Sequence, residues 1–489
     1  MSPQQSAQAL DQGTMIEDSK ISHNEMDDVF QKQKSGFDQE RYISYQDRMA
    51  NLKKLYRLID EHSQELADAL NSDFGCRSQH ETELAEIIGS LSSIRYLMKN
   101  LKRFMKPKNR STSIWFMPAK GQVMLQPLGV IGVMAPWNYS LHLTIAPMAA
   151  GLAAGNRVMA KMSELTPNTA VTLKRLIEKA FNQDTLAIFD GGVEAAKQFS
   201  NLPFDHLLFT GSTSVGKIIA QATAKNLTPV TLELSGKSPV VIGKNYNIEE
   251  AAKRIIWGKS FNAGQTCVAP DYVLLPKDKL IEFTRAARAA ANQYFPNGVD
   301  NGDYSSIINS HHCQRIQSLL DDAQEQGVEV LALTDKPTTQ NKIPPTLVLE
   351  PNENCRIFHE EIFGPVLPVL TYENLDDALQ QINHHRDPLA LYVFSSVKDE
   401  IEYITHHVRA GNVAVNDTLL QYIQNDLPFG GVGNSGMGKY HGIEGFETFS
   451  SKQATLTQRG IGNFTSIKLL YPPYTGFSRF MMKLLRLLP

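Results

Sequence analysis

The chain contains 489 residues and carries a formal net charge of −3, with 48 Lys and Arg against 51 Asp and Glu. A single hydrophobic core does not usually fill this length, so we expect two or three domains. Hydrophobic residues make up 42% of the chain and charged residues 20%, a typical globular balance. Because the basic excess of a nucleic-acid-binding protein is missing, we expect no nucleic acid partner.

The cysteines and the first residues indicate the compartment. Cys76, Cys267, Cys313 and Cys355 are widely spaced and form no CxxC pair. We therefore expect free thiols, with neither a disulfide framework nor a zinc or other metal site. Residues 1–35 are predicted to be a flexible tail without the features of a signal peptide. With no apolar run long enough to cross a bilayer, a cytoplasmic protein is expected.

The chain alternates strand-like and helix-like segments over most of its length. After a helical, amphipathic segment at 46–105, short apolar runs alternate with helical patterns from 123 to 234. This alternation indicates βαβ units and a parallel sheet that is buried on both faces. A second series of strands and helices follows Lys237. The predicted fold class is α/β with two doubly wound domains, and a cleft between domains commonly binds a ligand.

The sequence FNAGQTC at 261–267 places Cys267 on a loop of small residues, directly after an apolar, helix-like segment. Glu233 precedes it in VTLELSGK at 230–237, a β-rich run that ends in a turn. Together they predict a thiol that attacks a carbonyl and a carboxylate that activates water. A lone cysteine is often only a small buried hydrophobe, but these neighbouring residues favour the nucleophile.

A glycine-containing turn at 211–217, GSTSVGK, follows a strand and opens a helix. Backbone N–H groups and the helix dipole bind phosphate in that position. The segment also matches the Walker pattern GxxxxGK, but Ile218 replaces the Ser or Thr that binds Mg²⁺, which disfavours a P-loop. Because GxGxxG is absent, a dinucleotide would bind in a variant manner. A plain turn is the alternative.

Three further motifs carry polar side chains to the predicted ligand side of a sheet. Lys161 and Glu164 follow a strand and can reach ribose hydroxyls, although such a pair is also common at a solvated helix start. Asn138 can donate a hydrogen bond to an oxyanion or stabilise its own turn. Glu361 can accept from a ribose and Phe363 can press against a ring, or both can simply end a helix.

With these motifs in place, the chain from roughly 46 to 450 resembles the NAD(P)-dependent aldehyde dehydrogenase superfamily. The strings of that family occur in the expected order: PWNY (136–139), KMSE (161–164), FTGSTSVG (209–216), TLELSGKSP (231–239), FNAGQTC (261–267), EEIFGP (360–365) and PFGG (428–431). The segments at 265–272 and 433–442 are most similar to the class 3 branch and, within it, to bacterial coniferyl aldehyde dehydrogenases.

The resemblance implies a role for each matched residue. Cys267 is the nucleophile, Glu233 is the general base, and Asn138 forms the oxyanion hole with the Cys267 backbone N–H. The implied cofactor-binding residues are Trp137, Lys161, Glu164, Gly211, Ser212, Gly216, Glu361 and Phe363, and the implied substrate-side residues are Tyr139 and Phe429. The cofactor is NAD, with NADP as the alternative. An aldehyde is oxidised to the acid through a cysteine thioester that water hydrolyses.

The resemblance also implies a domain division and a homodimer. Residues 36–108 and 126–236 form the dinucleotide-binding domain, 237–434 form the catalytic domain, and 109–125 with 455–470 form a small β oligomerisation element. Residues 471–489 are a basic amphipathic helix, with Arg479, Lys483 and Arg486 on one stripe. We expect this helix to be a dimer contact, a lid over the aldehyde tunnel, or a peripheral membrane contact.

Departures from the family pattern and alternative functions complete the expectations. Ser140 and Met162 each replace a proline, and Ser235 replaces a glycine beside Glu233, where it is expected to change how that base is held. A cysteine hydrolase or amidase would use the same nucleophile without redox chemistry, but its partner is normally a histidine. No histidine neighbours Cys267 in the sequence. A coenzyme A-acylating enzyme generally lacks a carboxylate at the position of Glu233.

Overall fold

The computed structural model describes residues 23–113, 116–335, 341–458 and 471–486. Its α-helices are α1 (His23–Gln39), α2 (Tyr45–Glu61), α3 (Ser63–Phe74), α4 (Gln79–Thr82), α5 (Gly89–Phe104), α6 (His142–Ala154), α7 (Pro167–Ala180), α8 (Val193–Asn201), α9 (Thr213–Ala224), α10 (Ile248–Ser260), α11 (Leu280–Tyr294), α12 (Ser310–Glu325), α13 (Arg356–His359), α14 (Leu375–His385), α15 (Lys398–His407), α16 (Gly442–Thr448) and α17 (Gly476–Leu485). A π-helix at Glu83–Ile88 joins α4 to α5, and a 3-10 helix at Phe261–Gly264 follows α10.

The strands form three sheets. They are β1 (Lys108–Arg110), β2 (Lys120–Pro127), β3 (Val130–Met134), β4 (Arg157–Lys161), β5 (Leu186–Phe189), β6 (His206–Gly211), β7 (Val230–Leu234), β8 (Pro239–Ile242), β9 (Tyr272–Pro276), β10 (Glu329–Ala332), β11 (Thr346–Leu349), β12 (Val366–Tyr372), β13 (Ala390–Phe394), β14 (Asn412–Val415), β15 (Gly436–Met437) and β16 (Ser450–Thr457). Their orders are β15-β7-β6-β3-β4-β5, β10-β11-β12-β9-β8-β13-β14 and β1-β2-β16.

The six-stranded sheet sets one side of the site. Its five main strands are parallel, and only β15 runs antiparallel, against β7. Every residue of β3, β4 and β5 is buried, as expected for a parallel sheet covered on both faces. Met134 lies opposite both Lys161 and Phe209 in the register. The carboxyl ends of β3, β4 and β6 therefore meet at one edge, where ligands bind in such sheets.

The seven-stranded sheet forms the second doubly wound layer. It is parallel except for β10, which pairs antiparallel with β11 at one edge. The chain enters this sheet directly, since β7 ends at Leu234 and β8 begins at Pro239. It later returns to the first sheet, because Gly436 of β15 lies opposite Glu233 of β7. The two predicted α/β layers are confirmed, and Glu233 lies where they join.

A buried helix occupies part of the segment that was expected to be a flexible tail at 1–35. The structure has α1 from His23, and Met26, Val29 and Phe30 are almost fully buried. The rings of Phe30 and Phe204 lie 5.5 Å apart, and Gln33 Nε2 donates to the Val158 carbonyl at 3.1 Å. The spacing of these residues gives one apolar face, but polar neighbours obscured it in the sequence.

The third sheet contains the segments assigned to a small β element. β16 pairs antiparallel with β2 over its whole length, from Ser450 opposite Pro127 to Thr457 opposite Lys120. The strand therefore begins five residues before the expected boundary at 455, and 459–470 lie outside the described residues. The sheet leaves most of β16 exposed. Its assignment to oligomerisation stays a prediction.

The C-terminal helix α17 begins after the N-cap Thr475, whose hydroxyl accepts a hydrogen bond from the Ser478 N–H. Ser478 is buried, whereas Phe477 and Phe480 are 58% and 60% exposed. The amphipathic helix expected within 471–489 is thus present, with apolar side chains in contact with solvent. No helix in the described part of the chain is long and apolar enough to cross a membrane.

Candidate active site

The loop before Cys267 is a left-handed turn between α10 and β9. Asn262, Ala263 and Gly264 follow one another with φ of 50°, 49° and 70°. Asn tolerates this conformation better than other residues with a side chain, but at Ala263 it is strained, so contacts must hold the turn there. A Cβ on Gly264 would lie 2.3 Å from the Gly364 oxygen, so this position requires glycine. The predicted loop of small residues is therefore a strained turn.

A fully buried glutamine holds the turn from inside. Gln265 Nε2 donates to the carbonyl oxygens of Asn262 and Ser306, each at 3.0 Å. Its Oε1 accepts from the Ile308 N–H at 2.9 Å. From the other side, Glu81 Oε2 accepts from the Asn262 N–H at 3.0 Å. The sequence analysis assigned no role to Gln265 or Glu81, although Gln265 stands inside the FNAGQTC motif.

Asn138 is joined to the same turn. Its side-chain Nδ2 donates to the Gln265 backbone carbonyl at 3.0 Å. Its backbone carbonyl accepts from Arg77 Nη1 at 2.9 Å and from Asn262 Nδ2 at 3.1 Å. The side chain is buried. One of its two amide hydrogens is thus engaged, which leaves the other for a further acceptor. The structure brings Asn138 to the turn that carries Cys267.

Glu233 is a buried carboxylate at the junction of the two sheets. It is 1% exposed, and neither oxygen makes a hydrogen bond of ordinary geometry with any described residue. Burial raises its pKa to about 8. The nearby Cys267 thiol and Thr210 hydroxyl lower the pKa, and the charge of Glu361 raises it. A carboxyl with this pKa holds its proton near neutral pH and can exchange it there.

The thiol of Cys267 is also held in its neutral form. Burial, followed by the charges of Glu233 and Glu361, raises its pKa well above the ordinary value, while the N–H groups of Val268 and Cys267 itself lower it. The thiolate is the reactive form of cysteine. Ionisation therefore requires proton transfer to a neighbouring base, or a positive charge that arrives with a ligand. Glu233 is the base whose charge acts most strongly on the thiol.

Cys267 lines a cavity of about 210 Å³. The cavity wall is largely apolar and aromatic, with Ile88, Trp257, Phe261, Leu419, Tyr422 and Ile423 among its members. Tyr139 also lines it, as expected of a substrate-side residue, and its hydroxyl lies 2.7 Å from the Thr266 hydroxyl. The sequence analysis did not find most of this wall, because its members come from distant segments without a shared motif.

Two histidines also line the cavity. Burial lowers the pKa of His142 to about 4 and, together with the charge of His142, lowers the pKa of His441 to about 3. Both rings are therefore neutral at physiological pH. No histidine is among the groups that shift the pKa of Cys267. The charged groups that act on the thiol are carboxylates, whereas a cysteine hydrolase pairs its thiol with a histidine.

Phe429 lies one layer behind the cavity. The sequence analysis placed it on the substrate side, but its side chain is 1% exposed and packs with Tyr422 and His441 at centroid distances of 4.7 and 5.5 Å. Those two residues line the cavity, and Phe429 is absent from its wall. Its contribution is therefore to fix the orientation of the two lining rings.

Polar groups predicted to bind a cofactor lie at the edge of the six-stranded sheet. Lys161 Nζ lies 3.1 Å from Glu164 Oε2, with the lysine buried and the carboxylate half exposed. Ser212 is the N-cap of α9, where its hydroxyl accepts from the Val215 N–H at 3.4 Å. The open start of a helix at the end of β6 and a lysine–carboxylate pair at the end of β4, on the two sides of β3, suit a phosphate and a ribose.

The two glycines of this turn act through packing. A Cβ on Gly216 would lie 2.4 Å from Leu234 Cδ2, and a Cβ on Gly211 would lie 2.6 Å from Phe209 Cζ. Gly216 lies on the buried face of α9. Glycine at 216 therefore lets α9 pack closely on Leu234 of β7, and glycine at 211 leaves room for the Phe209 ring.

The segment with Glu361 and Phe363 approaches from the second domain. The rings of Trp137 and Phe363 lie 5.4 Å apart in an edge-to-face arrangement. Burial, followed by Asp271, raises the pKa of Glu361 to about 7, and the Ser235 hydroxyl lowers it. The Ser235 hydroxyl thus acts on Glu361. The expectation that Ser235 alters how Glu233 is held stays a prediction.

Comparisons with known proteins identify the family of this chain. The family model described as "Aldehyde dehydrogenase family" matches residues 4–455. A probable coniferyl aldehyde dehydrogenase of Pseudomonas aeruginosa is 46% identical over 94% of this chain and 96% of its own length. Coniferyl aldehyde dehydrogenase of Pseudomonas sp. HR199 is 41% identical over 85% of this chain and 87% of its own. The substrate-bound structure of Staphylococcus aureus AldH superposes with a TM-score of 0.88 at 36% identity, covering 94% of this chain and 99% of that one. The chain therefore belongs to the aldehyde dehydrogenase family.

Proposed function

We propose that this aldehyde dehydrogenase oxidises its substrate to the carboxylic acid with NAD(P)⁺ through a covalent adduct on Cys267. The observation that carries the proposal is the pairing of Glu233 with the Cys267 thiol. A buried carboxylate with a pKa of about 8, whose oxygens make no hydrogen bond of ordinary geometry with any described residue, acts on a thiol that lines a largely apolar cavity. This is the environment of a general base for a thiol and for water.

The chain's own residues support each step. Cys267 Sγ gives its proton to a base and adds to the aldehyde carbon. The oxygen then carries a negative charge, which the free hydrogen of Asn138 Nδ2 and the Cys267 N–H stabilise. The chemistry that NAD(P)⁺ supplies when bound is acceptance of a hydride from that carbon, which leaves a thioester on Cys267. Glu233 takes a proton from water as it attacks the thioester, and the C–S bond breaks to release the acid.

The residues at the sheet edge fit a dinucleotide. The N-terminus of α9 with Ser212 suits the pyrophosphate, and Lys161 with Glu164 suits the adenine ribose. Val215 and Ile218, in the first turns of α9, are 38% and 60% exposed, which offers an apolar surface for the adenine ring. Glu361, a partly buried carboxylate that follows α13, suits the nicotinamide ribose. Half exposure of Glu164 favours NAD over NADP, because its charge repels a 2′-phosphate.

The cavity favours an aromatic or a medium- to long-chain aldehyde, such as coniferyl aldehyde. Its wall carries several aromatic rings, and burial of apolar substrate surface there contributes about 25 cal/mol per Å². Two of the relatives described above are named for coniferyl aldehyde, which supports the same class here. We further propose that the protein is a cytoplasmic homodimer that uses the third sheet for assembly.

A direct assay tests the proposal. Purified protein is mixed with coniferyl aldehyde and NAD⁺ or NADP⁺, and absorbance of the reduced nicotinamide is followed together with formation of the acid. We expect equal amounts of both products. A hydrolase or amidase would release a product from an ester or amide without reducing the cofactor, and that result would remove the redox function.

A further inference from the structure

The strained turn before Cys267 has a partner from the N-terminal half of the chain. Glu81, the third residue of α4, lies 181 positions before Asn262, yet its Oε2 accepts the Asn262 N–H at 3.0 Å. The same oxygen accepts from the Ser305 hydroxyl at 2.8 Å. Glu81 thus connects the helices that cover the first sheet with two segments of the catalytic domain.

This contact falls where the backbone has most need of support. Positive φ is disfavoured for residues with a side chain, more for Ala263 than for Asn262, and such strain persists only where surrounding contacts fix it. Gln265 fixes the turn from within. Glu81 fixes its first residue from outside, because the Asn262 N–H has the Glu81 carboxylate as its acceptor.

The turn lies next to both donors of the proposed oxyanion hole. The Cys267 N–H lies in the segment that follows it, and Asn138 Nδ2 is oriented by its hydrogen bond to Gln265 O. The backbone carbonyl of Asn138 accepts from Asn262 Nδ2 of the turn at 3.1 Å and has a second support in Arg77 Nη1, which donates to it at 2.9 Å. Arg77 is itself held by an ion pair with Glu86 at 3.2 Å. A change at Glu81 is therefore expected to move the turn, while Arg77 still holds the backbone carbonyl of Asn138.

We propose that Glu81 is a positioning residue that holds the Asn262–Gly264 turn in its left-handed conformation, and so sets the Cys267 N–H and the Asn138 amide for the oxyanion. This inference rests on the proposed function. Glu81 touches neither the cavity nor the cofactor edge among the described residues. Its effect on the reaction passes through Asn262.

Two substitutions at the same position separate acceptor geometry from charge. Glu81→Gln keeps an oxygen that accepts from Asn262 and Ser305, whereas Glu81→Ala removes it. Displacement of reacting groups by about 1 Å can cost about 10²-fold in rate. We therefore expect Glu81→Ala to lower kcat by about 10²-fold. Glu81→Gln should stay within about tenfold of wild type, the range of one ordinary hydrogen bond.

The measurement must be independent of the folded fraction. The burst of reduced nicotinamide counts active sites, so kcat is divided by titrated sites, and cofactor affinity is measured separately by fluorescence quenching. We expect unchanged cofactor affinity in both variants. We also expect the effect of Glu81→Ala to shrink in an Asn138→Ala background, because the displaced donor is then already missing.

The outcomes are distinct. If kcat per titrated site in Glu81→Ala stays within about threefold of wild type, less than 1 kcal/mol in activation free energy, the positioning role is wrong. The same holds if Glu81→Gln is as impaired as Glu81→Ala, since charge rather than geometry would then matter. Failure of the proposed function looks different, because the wild-type protein itself would then reduce no cofactor.

Discussion

Asn138 Nδ2 donates a hydrogen bond to the Gln265 carbonyl two residues before Cys267, at 3.0 Å. This contact fixes the amide plane and leaves one N–H unengaged. We predict that Asn138→Ala lowers kcat by roughly 10²–10³, as for other oxyanion-hole donors. Steady-state kinetics with a saturating aldehyde measure the effect. Ser140→Ala is the matched control, because the Ser140 hydroxyl is buried nearby without a hydrogen-bond partner among the described residues.

Loss of the carboxylate at Glu233 should separate the two halves of the reaction. In Glu233→Gln, we expect one burst of reduced nicotinamide per active site followed by a stall, since hydrolysis of the thioester needs the base. Stopped-flow absorbance resolves the burst. Simultaneous loss of burst and turnover would mean that Glu233 acts earlier, on the Cys267 thiol, whose pKa it raises.

The pKa of Glu233 also predicts a pH profile. Burial raises this pKa to about 8, so the basic form decreases about tenfold for each pH unit below that value. We expect kcat to rise with pH up to about 8 wherever thioester hydrolysis limits turnover. The rise should be absent from the slow residual turnover of Glu233→Gln. A flat wild-type profile between pH 6 and about 8 would contradict the role of Glu233 as the base.

How much of this structure the sequence predicts depends on how far apart in the chain the contacting residues lie. Lys161, Ser212 and Glu233 follow or occupy strands of one parallel sheet, so topology alone brings them to one edge. The contact of Glu81 with Asn262 spans 181 positions and two layers, and no periodicity or motif marks it. Gly216 matched a phosphate-binding motif, yet position 216 requires glycine because a larger side chain would collide with Leu234.

Replacement of the nucleophile should leave the cofactor site intact. We predict that Cys267→Ala abolishes aldehyde oxidation without weakening NAD⁺ binding, because the sulfur faces the cavity and not the sheet edge. Cys76→Ala and Cys313→Ala serve as controls, since both side chains are only partly buried outside the cavity. Isothermal titration with NAD⁺ checks binding. Steady-state activity in Cys267→Ala would refute the nucleophile.

Cofactor preference should depend on Glu164. Its carboxylate is held 3.1 Å from Lys161 Nζ and is half exposed at the end of β4. We expect the wild-type protein to prefer NAD⁺ and Glu164→Gln to shift the ratio of kcat/KM toward NADP⁺, because the repulsion of a 2′-phosphate is removed. Unchanged ratios would show that Glu164 faces away from the ribose.

Helix α17 provides the last prediction. Phe477, Phe480, Met482 and Leu484 are each at least about a third exposed, so the helix presents an unusually apolar surface to solvent. If it covers the tunnel mouth in a dimer, truncation after Tyr474 should raise KM for bulky aldehydes more than KM for acetaldehyde. Phe480→Ser in the full chain should also raise KM for bulky aldehydes, but by less than the truncation does, because it keeps the helix and removes only one apolar contact.

Charge distinguishes the membrane alternative for α17. Arg479, Lys483 and Arg486 add three positive charges to the helix, and near an anionic membrane surface each basic residue contributes about 1 kcal/mol. A variant with all three changed to Gln should keep the KM values of the full chain if α17 is a lid. If that variant and the truncated protein match the wild type on every aldehyde, yet only the wild type sediments with anionic vesicles, then α17 contacts the membrane and the lid is excluded.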